Sequence, residues 1–142
     1  MFNFNLIASR LGIDEKAIET NSIFISGDVP SKKNSKQWTG KKLISSKATI
    51  QYERSSGYEY NVYKSWFIKS TWLAQRPLYI GLYFVRKTQK RFDYNNIGQT
   101  VLDMMTKHKW IEDDSSKDIV PVFLGHHVDK KKPGVYIIVL YS

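Results

Sequence analysis

The run LYIGLYFVRKTQKRFDYNNIGQTVLDMMTKH, residues 78–108, holds two periodicities back to back with a charged joint between them. In its first part Leu78, Ile80, Leu82 and Phe84 recur at every second position, which is the repeat of a strand with one buried face. In its last part Ile97, Val101, Leu102, Met104 and Met105 form one apolar stripe of a helix spanning Asn96 to His108, with Asn95 or Asn96 as the N-cap. The joint, RKTQKR at 86–91, sets Arg86, Lys87, Lys90 and Arg91 directly before Phe92 and Asp93 and reads as a basic hairpin or loop.

Upstream, Arg76 and Pro77 separate this strand from a second helix. Aromatic and aliphatic residues at helical spacing place that helix within Thr49–Trp72, centred on Tyr58–Ser70, with Gly57 weakening its first half. The β-branched and aromatic segment SIFISGDV, residues 22–29, predicts a strand that Pro30 ends. A loop over residues 31–47 follows. It carries Lys32, Lys33, Asn34, Lys36, Lys41, Lys42 and Lys47, has no acidic residue, and includes Trp38, a composition suited to phosphate and base contacts. Residues 1–21, with Leu6, Ile7, Leu11, Ile13 and Ile18, read as an N-terminal extension of one or two helical turns packed on the main body. Downstream, Ile119–Val128 and Val135–Tyr141 predict two strands joined by the cationic turn DKKKPG at 129–134. The order β, long α, β, α, β, β predicts an α+β fold: a small mixed sheet with its helices packed on one face, forming a single domain over residues 22–142.

The chain has 142 residues, 42% of them hydrophobic, enough for one self-sufficient core. It has no cysteine, which excludes disulfides, zinc ribbons and thiol nucleophiles and is compatible with a reducing cytosol. No run reaches the roughly 18 apolar residues of a membrane span, and the first residues lack the pattern of a secretion signal, so neither membrane insertion nor secretion is expected. A net charge of +9 favours a polyanionic partner, with nucleic acid foremost.

Against that charge, six of the 13 acidic residues fall between Asp93 and Asp118: Asp93, Asp103, Glu112, Asp113, Asp114 and Asp118. Hard oxygen ligands ringed by lysines suit magnesium-assisted phosphodiester hydrolysis, provided the chain brings Asp93 and the Asp113–Asp114 pair together. The bland alternative makes Asp93 a helix cap and residues 112–114 a solvated turn. Asp103 projects beside Gln99 and Lys107 and reads as a surface residue paired with Lys107 at i+4. His126 and His127, adjacent on a strand, point to opposite faces and cannot chelate one ion. His108 reads as a helix C-terminal dipole partner.

Together these pieces resemble the RusA family of Holliday junction resolvases, over about Ile23 to Tyr141. The motifs are Asp93-Tyr94-Asn95-Asn96 at a helix start, VLDMM around Asp103, the pair Asp113-Asp114 after WIE, Pro133-Gly134-Val135 before the last strand, and VPSKKNS with Pro30, Ser31 and Asn34. The resemblance implies a RusA-like fold and a homodimeric, magnesium-dependent endodeoxyribonuclease, with manganese as a possible substitute. It would resolve four-way junctions in recombination and repair, in the cytoplasm of a bacterial host and encoded by a phage or prophage. It implies Asp93, Asp113 and Asp114 as catalytic acids and Asp93, Asn95 and Asp114 as metal ligands. DNA contacts would come from Lys32, Lys33, Asn34, Lys36, Lys41, Lys42, Arg86, Lys87, Lys90 and Arg91. Two positions depart from the family: Asn95 stands where it has a second metal-binding Asp, and Gln99 where it has a lysine. The alternative they raise is a lapsed member that binds branched DNA without cutting it.

Overall fold

The computed structural model describes residues 4–31, 36–38, 43–45 and 47–140, the two short central stretches as backbone only. In chain order the elements are α1 (Asn5–Leu11), α2 (Glu15–Thr20), β1 (Ser22–Ser26), β2 (Lys36–Trp38), β3 (Leu43–Ser45), α3 (Lys47–Thr71), β4 (Leu78–Arg86), α4 (Tyr94–Lys107), β5 (Ile119–Val128) and β6 (Gly134–Leu140).

Four strands form one mixed sheet in the order β1-β6-β4-β5. β4 and β5 run parallel, joined by the α4 crossover, while β6 lies antiparallel to both β4 and β1. The fold is therefore α+β, as expected. The two C-terminal strands are not neighbours, however: β6 passes beyond β4 and takes the centre of the sheet. β5 is left at an edge, where Pro121 costs no ladder bond. The other edge, β1, is covered by α3, since Ser26 N–H donates to the Glu59 carboxylate at 3.2 Å and Ser56 Oγ donates to Ser26 O at 2.6 Å.

Alternation along β4 divides the core. Leu78, Ile80, Leu82 and Phe84 face α3 and α4, joining Tyr60, Phe67, Ile97, Val101, Met105 and Trp110 in the main cluster. The indole of Trp110 lies buried there, and its N–H donates to Tyr60 O at 2.7 Å. On the opposite face Tyr83, Tyr136, Ile138 and Leu140 meet Phe4, Ile7, Ala8 and Ile18 of the N-terminal helices. The long helices thus share one face as expected, and residues 4–20, within the stretch read as an extension, add a second layer behind the sheet.

Two local readings are corrected. The basic stretch before α3 is not purely a loop: β2 and β3 pair as a short antiparallel hairpin, and three-residue strands are too short to display a period. α4 is capped by Asp93 rather than by Asn95 or Asn96. Of the proposed DNA contacts, Lys32, Lys33, Asn34, Lys41 and Lys42 lie outside the described residues, and Lys36 is placed only as backbone of β2.

Candidate functional site

Asp93 sits where the chain leaves the β4–α4 joint in extended conformation and turns into the helix, with φ −116° and ψ 125°. Its Oδ1 accepts from Asn95 N–H at 2.8 Å, satisfying one orphan amide of the first turn, and the positive end of the helix dipole favours its charge. Capping uses only one of its oxygens. Among the described residues Oδ2 takes no hydrogen bond, and the side chain is exposed at a cleft of about 430 Å³ lined by Asp28, Pro30, Arg86, Lys90, Arg91 and Asn96.

After α4 the chain doubles back. Lys109 adopts the left-handed conformation (φ 64°), Trp110 N–H donates to Met105 O at 2.8 Å, and the buried indole anchors the reversal. Residues 111–114 return along the helix far enough for Asp114 to meet Gln99, whose Nε2 donates to Asp114 Oδ2 at 2.5 Å and to Asp103 Oδ1 at 2.9 Å. One carboxamide thus spans two carboxylates. Asp103 is accordingly half-buried and tied into this group rather than simply a surface residue, while Lys107 ion-pairs with Glu53 of α3 at 3.1 Å.

Asp113 is directed into its own turn. It accepts from Asp114 N–H at 2.8 Å through Oδ1, and its N–H donates to Asp118 Oδ2 at 3.2 Å. Six residues of α4, a rise of about 9 Å, separate the levels of Asp93 and Gln99, so the fold brings Asp114 along the helix toward Asp93 without joining the two. Among the described residues no three acidic or histidine side chains form a group that could hold a metal ion.

The cations differ in what they do. Arg86 is turned inward: its Nη1 donates to Val29 O at 2.6 Å, lies 3.4 Å from Asp28 Oδ1, and its guanidinium stacks 4.8 Å from the Phe92 ring centroid. Burial lowers its pKa, and the Asp28 charge opposes that shift. Arg86, expected as a DNA contact, lines the Asp93 cleft and the one adjoining it, but with its guanidinium engaged by Asp28, Val29 and Phe92. Lys87, Lys90 and Arg91 are exposed, as a phosphate-contacting role requires.

A second cleft of about 480 Å³, lined in part by Tyr52, Lys87 and Lys130, shares Asp28, Pro30, Ala48 and Arg86 with the first. Sequence reasoning missed Asp28, Lys130 and the bridging role of Gln99. The first two were visible only as members of turn-like segments. The apposition of those segments depends on β6 lying between β1 and β4, which no local signal announces.

His126 and His127 point to opposite faces as expected, with Nδ1 of the first 2.7 Å from Tyr94 Oη and that of the second 3.0 Å from Tyr83 Oη. No known family model and no curated protein matches the chain. Among the described residues no helix is long and apolar enough to cross a membrane.

Proposed function

We propose that this chain is a magnesium-dependent, structure-selective DNA endonuclease that resolves four-way junctions by paired symmetric incisions, acting in the cytoplasm of a bacterial host. The observation that carries the reading is Asp93: a carboxylate with an unbonded oxygen at a cleft whose rim holds the exposed cations Lys90 and Arg91. A carboxylate with an open oxygen in that setting suits a cation, and the cations beside it suit phosphate.

Magnesium fits the donor chemistry. It takes hard oxygens and keeps several waters, so one or two carboxylates suffice. Asp93 Oδ2 and the neighbouring Asn95 carbonyl would hold it together with its waters, and Asp114, held beside Gln99 further along α4, would act on it through those waters, with Asp113 as the second acidic neighbour. When bound, the ion would supply an activated water and neutralise charge on the phosphoryl and leaving-group oxygens. Lys90 and Arg91 position the scissile backbone, Lys87 extends that contact, and a second copy related by a two-fold axis makes the opposite incision.

The alternative, a lapsed member that binds junctions without cutting them, is favoured by Gln99. Its carboxamide already satisfies Asp114 Oδ2, and a neutral amide there brings no cation to the transition state. A labelled synthetic four-way junction with and without magnesium separates the two, read by gel shift and by cleavage. Symmetric metal-dependent nicks that Asp93→Asn and Asp114→Asn each abolish, with binding retained or tightened, are the expected result. Binding with no product at any magnesium or manganese concentration selects the lapsed reading, and full cleavage by both variants removes these acids from the site.

A further inference from the structure

The sheet topology gathers cations that are far apart in sequence. β4 and β5 run parallel and end together, with Arg86 opposite Val128 and Asp129 N–H donating to Arg86 O at 2.9 Å. The β5–β6 turn therefore leaves from the same end of the sheet as the β4–α4 joint. Gly27 N–H donates to Pro133 O at 2.9 Å, tying that turn to the segment after β1. Lys130 then lines a cleft wall with Lys87, and that cleft runs through Asp28 and Arg86 into the one at Asp93.

The nearby acids leave these lysines unneutralised. Asp28 is spent on Arg86, and Asp129 Oδ1 accepts from Lys131 N–H at 3.0 Å within the turn. Lys130, Lys131 and Lys132 are exposed, with Lys132 Nζ lying 5.4 Å from the Phe24 ring centroid. Lys87, Lys130 and Lys131 are thus the side chains best placed to reach a ligand.

We infer that Lys130 and Lys131 of the β5–β6 turn, together with Lys87, form a second phosphate-binding edge that continues the Asp93 cleft and takes the backbone of a duplex DNA arm. The inference rests on the functional reading above and extends it from Lys87 to the β5–β6 turn, which that reading does not use. A duplex fits better than a single strand because single-strand grooves present aromatic platforms for bases. Here Phe24 and Phe92 are each covered by a cation, and Tyr52, the aromatic lining the adjoining cleft, is only 3% exposed. What remains is a row of ammonium groups, which reads phosphate spacing and shape rather than base identity.

The test measures binding of a linear duplex and of a four-way junction with the same arm length, across a salt series and without divalent metal. Wild type is compared with Lys130→Ala/Lys131→Ala and with a control, Lys16→Ala/Lys69→Ala, which removes the same charge from exposed positions on α2 and α3. Removing one lysine that neutralises a phosphate lowers the slope of log affinity against log salt by about 1, so the turn variant should drop by about 2 in slope and roughly tenfold or more in affinity on both probes. The control should change in neither. Circular dichroism verifies that both variants remain folded. If wild type binds and the turn variant keeps its slope, or the control weakens as much, the inference falls while the functional reading stands. If wild type binds neither probe at low salt, the functional reading fails and the inference with it.

Discussion

His108 condenses how single residues acquire roles that spacing alone does not reveal. Its ring stacks on Tyr60 with centroids 5.8 Å apart and planes 13° from parallel, and Nδ1 lies 2.7 Å from Asn61 Oδ1. Asparagine's carbonyl can only accept, so Nδ1 donates. Burial lowers the His108 pKa, Lys107 acts in the same direction, and Glu53 opposes them. The folded protein therefore holds this proton less tightly than the unfolded chain, whose imidazole titrates near ~6.5. The stability contribution is complete above that pH and is lost as pH falls through the lowered folded value. Urea midpoints measured between pH 7.5 and 5 should fall more steeply for wild type than for His108→Gln; parallel curves would show that no proton is linked to folding at this ring. The sequence reading of His108 as a helix-end residue was sound in position, since it is the C-cap of α4, but the partners on α3 lie 47 residues or more away and leave no local mark. Asp93 differs in that its partner is local: a cap there stood in the sequence as the alternative to Asn95 or Asn96, and the bond it makes is to the Asn95 N–H two residues on.

At the scale of elements, glycines mark where a reading by propensity succeeds or fails. Gly57 weakens the helix on propensity grounds, yet α3 runs unbroken from Lys47 to Thr71 because its buried face, including Tyr52, Tyr60 and Phe67, outweighs one poor helix former. A Cβ at Gly57 would meet only the His108 ring at 3.6 Å, an ordinary contact. Gly57→Ala should accordingly stabilise the protein by about 0.5–1 kcal/mol. Gly134 is the opposite. It opens β6 beneath β1, and a Cβ there would drive into the Ile25 carbonyl and the Phe24 ring, a backbone obstacle that no rotamer change relieves. Gly134→Ala should cost about 1–3 kcal/mol or more. Chemical denaturation of the two variants beside wild type checks both signs, and equal shifts would refute the packing argument. β4 was legible from its alternation and β1, β5 and β6 from composition and bounding turns, whereas the β2–β3 hairpin and the placement of β6 between β1 and β4 were not. The DKKKPG turn looks like a hairpin connection, and only the competition among strands for Leu82 and Phe84 decides which neighbour β6 takes.

For the molecule as a whole, the two faces of the sheet carry unequal burdens. The α3–α4 face was legible because long amphipathic helices and an alternating central strand point to one core. The opposite face was legible only in part, because α1 and α2 have only seven and six residues, enough to suggest one or two packed turns but not a full layer. Their importance lies in what they cover. Ile138 is fully buried although its side chain faces away from α3 and α4, and Phe4 meets Tyr136 edge-on with centroids 5.5 Å apart. Asn21 O also accepts from Val139 N–H at 2.8 Å, tying the end of this layer to the central strand. An extension merely resting on a finished domain would contribute little when truncated, within about 0.5 kcal/mol for a surface site. A true layer behaves differently: Ile18, 2% exposed against the sheet, should cost about 2–5 kcal/mol on conversion to alanine, and the loss should appear as a lowered midpoint of a single cooperative transition. Far-UV circular dichroism and tyrosine fluorescence followed through the same urea series test this. Coincident, shifted curves are expected of Ile18→Ala, while an unshifted midpoint or an early, separate phase would return residues 1–21 to the status of an appendage.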